Sequence, residues 1–256
     1  MESNENNPTG TTRDHIDFGF RKVSPADHTS MVGDVFSSVA RRYDLMNDLM
    51  SGGLHRFWKT ALLDRLHPGP GETLLDVAGG TGDIADGFLK RGGGAAVICD
   101  INADMLVAGM DRTLDRGRAQ GPLRICGDAA VLPVGDASVE SCTIVFGLRN
   151  VTRRRDALSE MRRVLKPGGH FICMEFSPAV LPQLKPLYDA YSFRVLPWLG
   201  QQVAGDGDSY KYLAESIRRF PEPDMLAAEM TDAGFGNIHI TPLTGGIVWQ
   251  HSGWRI

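Results

Sequence analysis

Short apolar runs alternate with amphipathic stretches through the middle of the chain. The runs are bounded by Gly, Pro or Asp, and they are ETLLDVA, AAVICD, LRICGD, SCTIVFGL and HFICMEF. Helical periodicity fills residues 82–91, 103–118 and 153–165, whereas the stretch between LRICGD and SCTIVFGL is short and loop-like. Buried strands that alternate with helices indicate a parallel sheet covered on both faces. With right-handed crossovers, this pattern predicts an α/β protein with a doubly wound, Rossmann-like sheet.

The two flanks of this core have other patterns. Before it, apolar residues at helical spacing predict two packed segments over 33–63, separated by a pair of glycines. After it, residues 185–199 have an aromatic-rich helical pattern, and a further helix ends at Gly234. Two strands joined by another glycine pair are predicted to close the chain.

The chain is expected to form one domain after a polar tail. It has 256 residues, no internal repeat and no linker between two cores. We expect a disordered tail over 1–18 and a single domain over 19–256. Within that domain, the patterns predict a helical cap over 19–70, a core over 71–180, and a helical insertion with the C-terminal strands over 181–256.

Composition and charge argue against several classes of protein. Hydrophobic residues make up 42% and charged residues 23%, which is ordinary for a globular protein. A net charge of −4 argues against a nucleic-acid partner. The N-terminal residues lack the basic and apolar regions of a secretion signal, and no apolar run approaches the roughly 20 residues that span a bilayer. We therefore expect a cytoplasmic protein whose membrane contact, on the inner face, is peripheral.

The four cysteines predict neither a disulfide framework nor a metal site. Cys99, Cys126, Cys142 and Cys173 lack metal-type spacing, and each lies in or beside a predicted buried strand. We interpret all four as small buried hydrophobic residues.

The sharpest chemical signal is the glycine-rich turn after the first core strand, LLDVAGGTGDIA. Gly79, Gly80 and Gly82 allow the backbone to approach a ligand closely. Asp100 ends the next strand, 20 residues after Gly80, where a carboxylate accepts hydrogen bonds from ribose hydroxyls. This combination predicts an adenosine-type cofactor.

Two cofactors are compatible with that half-site. Gly80, Gly82 and Ala85 satisfy the loose dinucleotide pattern, so an NAD-dependent reductase is an open alternative. Asp76, just before the turn, suits a ligand with an ammonium group, and Asp83 at the helix start opposes a pyrophosphate. These two acids favour S-adenosyl-L-methionine.

Longer stretches resemble the ubiquinone/menaquinone biosynthesis C-methyltransferase family. Two of them, YDLMNDLMSGGLHRFW at 43–58 and RVLKPGGHFICMEFS at 163–177, resemble its signatures, and FGLRNV, DAYSF, DSYKYLAESI and GGIVWQHSGW are also similar. The resemblance begins near Gly19 and covers the rest of the chain. It implies a class I methyltransferase fold with an antiparallel last strand and S-adenosyl-L-methionine as methyl donor. The implied acceptor is 2-polyprenyl-6-methoxy-1,4-benzoquinol, demethylmenaquinol or both.

Carried over onto this sequence, the family's cofactor contacts fall on Thr81, Asp100, Asp128 and Ala129. The other predicted cofactor residues are Asp76, Gly79, Gly80, Gly82 and Ile101. Val145 stands where relatives often have a serine, so we expect no hydroxyl contact there. Asp128 stands where bacterial relatives often have asparagine, a change that keeps an acceptor and loses a donor.

The candidate catalytic residues follow the fourth core strand or precede the core. Arg149 and Asn150 end a strand whose carboxyl end opens onto the ligand crevice. Arg149 stays protonated, so we interpret it as stabilising phenolate charge or orienting a water, with a salt bridge to Asp156 as the alternative. Asn150 would orient the quinol or cap a turn, and His55 would accept a proton or be purely structural.

The candidate acceptor contacts are Tyr43, Asn47, Tyr188 and Tyr191, although core packing also explains buried tyrosines. The basic residues over 153–166 would touch anionic lipid or form a solvated helix face. We also expect contact with other quinone-biosynthesis enzymes and a homodimer, while a non-catalytic assembly subunit is a further alternative.

Overall fold

A hairpin and three helices precede the central sheet in the computed structural model, which describes residues 15–40, 43–115, 121–204 and 207–256. They are β1 (Ile16–Phe18), β2 (Arg21–Val23), α1 (Pro25–Val39), α2 (Tyr43–Ser51) and α3 (His55–Leu66).

The N-terminal hairpin corrects two predicted boundaries. Phe18 is buried within β1, so the regular chain starts before the boundary predicted at Gly19, while residues 1–14 lie outside the described residues. The helical cap also has three helices instead of two segments. Ser24 accepts a hydrogen bond from the Asp27 N–H, and Pro25 follows it, so α1 begins before the predicted apolar stripe.

The central sheet has seven strands. They are β3 (Thr73–Val77), β4 (Ala95–Asp100), β5 (Leu123–Cys126), β6 (Val139–Val145), β7 (Leu165–Phe176), β8 (Phe235–Leu243) and β9 (Val248–Arg255). Their order across the sheet is β5-β4-β3-β6-β7-β9-β8. The pairs from β5 to β7 are parallel, and β9 runs antiparallel to both β7 and β8. The prediction of a mostly parallel sheet with an antiparallel last strand is confirmed.

The remaining helices are α4 (Asp83–Lys90), α5 (Ala103–Asp115), α6 (Arg154–Val164), α7 (Lys185–Ala190), α8 (Leu196–Leu199), α9 (Gly207–Arg219) and α10 (Pro223–Asp232). Two π-helical stretches, Tyr191–Val195 and Gly200–Ala204, make one helical segment of residues 185–204. The predicted core helices match α4, α5 and α6 to within about a residue, except that 116–118 lie outside the described residues.

The strands bury side chains on both faces of the sheet. Successive residues of a strand point to opposite faces, so Leu74 packs with Trp58 on one face and Leu75 packs with Leu158 on the other. Both faces are therefore covered by apolar side chains, as expected for a parallel sheet between helical layers.

The cysteine prediction is correct for Cys99, Cys142 and Cys173, which are buried, but wrong for Cys126, which is exposed. The reason is that β5 forms the edge of the sheet. Among the described residues, no helix has the length and apolar character needed to cross a membrane.

Candidate functional site

A cavity of about 320 Å³ opens at the carboxyl ends of β3, β4 and β6. The strand order departs in opposite directions from β3, toward β4 and toward β6, so the cavity lies at the topological switch point of the sheet. Helix α1 covers it with Val32, Gly33 and Phe36. The apolar stripe of the N-terminal helices therefore forms a wall of the site as well as part of the core.

Asp100 is held in one orientation at the end of β4. Its Oδ2 accepts the Gly80 N–H at 2.8 Å, and its Oδ1 accepts the Asn102 N–H at 2.9 Å. Burial raises the pKa of this carboxyl. Each oxygen keeps a further lone pair for a ligand, and Asp100 lines the cavity. The geometry suits a pair of ribose hydroxyls.

The turn between β3 and α4 needs glycine at two of its positions. Gly80 and Gly82 have φ of 52° and 92°, and a Cβ on Gly80 would lie 2.8 Å from the Met105 methyl carbon. Ala78 and Phe146, which end neighbouring strands, also have positive φ, at 50° and 59°. Both line the cavity, and such strained non-glycine backbone is concentrated at functional sites.

A second, smaller cavity holds an unpartnered carboxylate oxygen. Asp76 is buried in β3, where its Oδ1 accepts the Thr143 hydroxyl at 2.8 Å. Its Oδ2 has no hydrogen-bond partner among the described residues, and a Cβ on Gly79 would lie only 2.7 Å from that oxygen. Burial raises the pKa of Asp76 to about 7. A cationic nitrogen beside this oxygen would satisfy it, so the site fits the ammonium of S-adenosyl-L-methionine.

Asp83, at the start of α4, is neutralised by two cations. Lys59 Nζ lies 2.7 Å from Asp83 Oδ2, and Arg112 pairs with Oδ1. Although burial works to raise the pKa of Asp83, the charges of Lys59 and Arg112 outweigh it and hold the value at about 2. Asp83 therefore presents no bare anion to a pyrophosphate, and the argument drawn from it against NAD was wrong. Lys59 lies 24 residues before Asp83, where no local pattern indicated it.

The far end of the larger cavity is formed by Ile101, Asp128 and Ala129. Asp128 Oδ1 accepts the Ala130 N–H at 2.8 Å, and Oδ2 accepts Arg153 at 3.1 Å. The exposed Ile101 side chain offers an apolar surface beside them, so this end can contain a purine.

Asn102 is a cavity residue that sequence reasoning missed. Its backbone contacts Asp100, and its amide nitrogen donates to the Gly33 carbonyl at 3.1 Å and to Ser37 Oγ at 3.0 Å. It therefore ties α1 to the end of β4. Its position two residues after Asp100 was the only signal in the sequence.

Arg149 and Glu175 form a buried ion pair. Arg149 Nη1 donates to Glu175 Oε1 at 2.6 Å and to the Phe146 carbonyl at 2.7 Å, and the arginine side chain is only 2% exposed. The salt bridge to Asp156 considered from the sequence was wrong, because Asp156 lies beside Arg153 instead. Arg149 Nε has no partner among the described residues. Burial raises the pKa of Glu175, although the charge of Arg149 opposes this shift.

Asn150 lines the larger cavity with a free donor. Its Oδ1 accepts the Tyr212 hydroxyl at 3.0 Å, which fixes the amide orientation. Its Nδ2 is buried and has no partner within the described part of the chain. Phe18 stacks on the Tyr212 ring with centroids 4.1 Å apart, so the N-terminal hairpin supports this arrangement.

Asn150 is the only predicted catalytic or acceptor residue among the described side chains that lines either of these two cavities; Arg149 lies behind the wall, paired with Glu175. His55 is buried with its Nε2 2.9 Å from Asp48, and burial lowers its pKa. Asn47 is buried on α2, Tyr191 donates to the Leu49 carbonyl, and Tyr188 packs beneath Arg218. These contacts hold the helices of the cap and of the segment 185–204 against one another. The Tyr43 side chain lies outside the described part of the structure.

A family model now decides between the remaining interpretations. The model described as the ubiE/COQ5 methyltransferase family matches residues 23–255. The chain belongs to this family. It is therefore an S-adenosyl-L-methionine-dependent methyltransferase, and the NAD-dependent reductase considered from the glycine pattern was wrong.

Relatives of this methyltransferase cover nearly its whole length. A Paracoccus denitrificans protein named ubiquinone/menaquinone biosynthesis C-methyltransferase UbiE is 53% identical over 240 residues, which are 93% of this chain and 96% of that protein. A Bradyrhizobium diazoefficiens protein of the same name is 50% identical, with the same coverage. A solved structure of a SAM-dependent methyltransferase from Thermotoga maritima shares the fold, with a TM-score of 0.63 at 17% identity over 87% of this chain and 99% of that one.

Proposed function

We propose that this methyltransferase adds a methyl group to a ring carbon of a polyprenylated quinol in ubiquinone and menaquinone biosynthesis. The acceptor would be 2-polyprenyl-6-methoxy-1,4-benzoquinol, demethylmenaquinol or both. The observation that carries the proposal is the identity of about half the residues with proteins named UbiE across nearly the full chain. The cavity at the strand ends supports it, because its polar groups match the donor and its walls are largely apolar.

We assign two parts of the donor to two cavities. Asp100, Ile101, Asp128 and Ala129 would hold the adenosine half, with ribose hydroxyls on Asp100. Asp76, Gly79, Thr81 and Gly82 would hold the amino-acid half, with the ammonium on Asp76. The support is the unpartnered Asp76 oxygen and the two backbone N–H groups that fix Asp100.

Bound S-adenosyl-L-methionine supplies an electrophilic methyl group. The chain must then make a ring carbon nucleophilic, which requires an adjacent hydroxyl to approach the phenolate form. A phenol has a pKa of about 10, so at neutral pH a cation or donor near the oxygen must favour the charged form. In our proposal Arg149 does this, with its unpartnered Nε as donor and Glu175 as the carboxylate that holds the guanidinium in place.

Asn150 would position the acceptor. Tyr212 holds its amide oxygen, so the amide nitrogen is left as a donor toward a quinol oxygen. His55 lies at the start of α3 with its Nε2 on Asp48 of α2, and it lines neither cavity. We therefore assign it, with Asn47 and Tyr191, to the support of the cap, and keep Tyr188 and Tyr43 as candidate acceptor contacts.

Replacing Arg149 tests the catalytic assignment. Arg149→Ala should keep S-adenosyl-L-methionine binding, measured by calorimetry, and lose methyl transfer to a quinol acceptor. Arg149→Lys keeps a cation beside Glu175 and should retain part of the turnover with a normally folded protein. The matched control is Arg155→Ala on α6, an exposed arginine, which should be unaffected. Loss of donor affinity in Arg149→Lys with unchanged turnover at saturation would show that the assignment is wrong.

We further propose that the protein is cytoplasmic and contacts the inner face of the membrane peripherally, because its acceptor carries a lipid tail. A homodimer and contact with other quinone-biosynthesis enzymes are predictions of the same proposal. Size-exclusion chromatography with light scattering measures the first, and a mass of one chain would contradict it.

A further inference from the structure

Large apolar side chains are exposed along the outer side of the helical segment 185–204. Leu187 is 73% exposed and Trp198 is 61% exposed, and both lie on the outer side of this segment. The inner side buries Tyr188 and Leu196, which lie eight residues apart in the segment. The segment therefore has an apolar inner side, as expected for packing, and a second apolar side that no described residue covers.

The α2–α3 connection adds to this surface. Phe57 is 66% exposed, and the adjacent Trp58 donates its indole N–H to Thr244 Oγ1 at 2.8 Å. Gly245, which follows Thr244, packs against two leucines. A Cβ atom built on Gly245 would lie 2.5 Å from the Leu184 side chain and 3.3 Å from the Leu181 side chain. Two distant parts of the chain thus meet on one side of the molecule.

We define the apolar face as Leu54, Phe57, Leu181, Leu184, Leu187 and Trp198. Tyr191 donates to the Leu49 carbonyl and so ties the helical segment 185–204 to α2. Two of these residues, Leu54 and Phe57, belong to the signature stretch 43–58, where the proposed chemistry uses neither of them.

Exposed cationic side chains lie on the same elements as the apolar face. Arg56 pairs with Asp48, and the arginine side chain is 66% exposed against 33% for the carboxylate. Lys185 pairs with Asp189 in the same way, at 50% against 34%. Arg194 is exposed on the same helical segment. In both pairs the cation is the more exposed partner, and together with Arg194 these cations complement anionic headgroups.

The basic stretch 153–166 is a weaker candidate for a lipid contact. Four of its cations already have carboxylate partners: Arg153 with Asp128, Arg154 with Glu229, Arg163 with Glu160, and Lys166 with Glu140. No large apolar side chain of this stretch is exposed, so none could insert into a bilayer beside the charges. The structure explains that stretch as an internal ion-pair network along α6 and its neighbours.

The apolar face also lies next to the acceptor end of the site. On the inner side of the same segment, the Tyr188 ring packs 4.9 Å from the Arg218 guanidinium carbon. The charges of Arg218 and Arg149 act on the Tyr188 hydroxyl and oppose the rise in its pKa that burial causes. The segment that carries part of the apolar face therefore lies near enough to Arg149 for its charge to act on Tyr188.

We propose that the apolar face docks the protein on a lipid bilayer that contains anionic lipid, with Trp198, Leu187 and Phe57 in the interfacial layer. The reason for a bilayer, over a second copy of the chain, rests on the proposed function: the acceptor's prenyl tail is dissolved in the bilayer. The cationic fringe favours the same occupant. Indole rings partition well into the membrane interface, and bound aliphatic side chains add apolar burial.

The test is co-sedimentation with vesicles of phosphatidylcholine and phosphatidylglycerol. The full chain should pellet with the vesicles, and Leu187→Ser/Trp198→Ser should bind at least about tenfold more weakly, since two large apolar side chains no longer insert. The matched control is Leu123→Ser/Met225→Ser, which removes two equally exposed apolar residues from elsewhere on the surface and should bind as the unmodified chain does.

Methyl transfer separates failure of this proposal from failure of the proposed function. With a short-chain, water-dispersed quinol, Leu187→Ser/Trp198→Ser should match the unmodified enzyme, whereas with long-chain quinol in vesicles it should be slower. No pelleting of the full chain, or equal pelleting of the double variant and its parent, would overturn the docking proposal. So would light scattering that shows the double variant to be a monomer and its parent a dimer. Absence of turnover on both quinols would instead overturn the function and leave the pelleting result to decide the docking.

Discussion

The donor side and the acceptor side of the site are built differently. On the donor side, carboxylates at strand ends are held by nearby backbone N–H groups, as Asp100 is by Gly80 and Asn102. On the acceptor side, side chains from distant segments hold one another: Asn150 meets Tyr212, 62 residues away. If our assignments are correct, donor recognition depends on local strand-end geometry, whereas acceptor recognition depends on how the cap and the insertion pack on the core.

The largest effect should come from the acceptor side. Glu175→Ala leaves Arg149 buried without its carboxylate, and breaking one partner of a buried ion pair typically costs about 3–5 kcal/mol. Urea unfolding followed by circular dichroism measures this loss. Asp64→Ala, which breaks the exposed pair with Arg91, is the control and should cost less than about 1 kcal/mol. If both variants lost the same free energy of unfolding, the acceptor side would be no more dependent on its buried ion pair than the surface is on an exposed one.

The next largest effect should come from the donor side. Asp100→Ala removes a carboxylate that has two fixed backbone donors, and its ligand contacts would be lost at about 1.5–3 kcal/mol for a charged hydrogen bond. We expect S-adenosyl-L-methionine affinity to fall about 100-fold by calorimetry, with unfolding little changed. Asp104→Ala, an exposed acid on the adjacent helix, should bind normally. Unchanged affinity in Asp100→Ala would refute the donor assignment.

The same contrast explains what the sequence alone could predict. The mostly parallel sheet was predictable because apolar runs alternate with helical periods. The donor side was predictable because Gly80 and Asp100 lie at strand ends that parallel pairing must bring together. The partner of Arg149 was not predictable from the sequence, because Glu175 lies 26 residues away on another strand and Asp156 is closer along the chain. Lys59 was missed as a site residue for the same reason, since tertiary packing places it beside Asp83. The roles of the individual site residues are still proposals.

The pH dependence of donor binding sharpens the account of Asp76. Its pKa is raised to about 7 by burial, so its carboxylate is protonated below that pH and ionised above it. A cationic ammonium prefers the ionised form, so donor affinity should fall roughly tenfold from about pH 7.5 to about pH 6. Lys59 and Asp83 also face this group, but the pKa of Asp83 is held at about 2, so it stays ionised throughout.

Calorimetry across this pH range measures the effect, and Asp76→Asn provides the control. At the higher pH, Asp76→Asn should bind S-adenosyl-L-methionine more weakly than the unmodified enzyme does, and its affinity should not change with pH. A profile in Asp76→Asn as steep as in the unmodified enzyme would assign the titration to another group.

The smallest effect should come from the hydroxyl that orients Asn150. Tyr212→Phe keeps the ring stacked on Phe18 and removes one hydrogen bond, worth about 1 kcal/mol. We expect kcat to fall severalfold with unchanged donor affinity, because the amide can then rotate away from the acceptor. Steady-state kinetics with each substrate varied separates the two constants. A change confined to the KM for S-adenosyl-L-methionine would contradict this assignment and show that Tyr212 contributes to donor binding.

The central claim is that this protein methylates a quinol ring. The most direct test is the quinone profile, by mass spectrometry, of cells of its source that lack the protein, alone or complemented with the unmodified chain or with Asp100→Ala. We predict a quinol precursor lighter by one methyl group in the deleted cells, its disappearance with the unmodified chain, and its persistence with Asp100→Ala. A normal quinone profile in the deleted cells would contradict the claim, and full rescue by Asp100→Ala would contradict catalysis at this site.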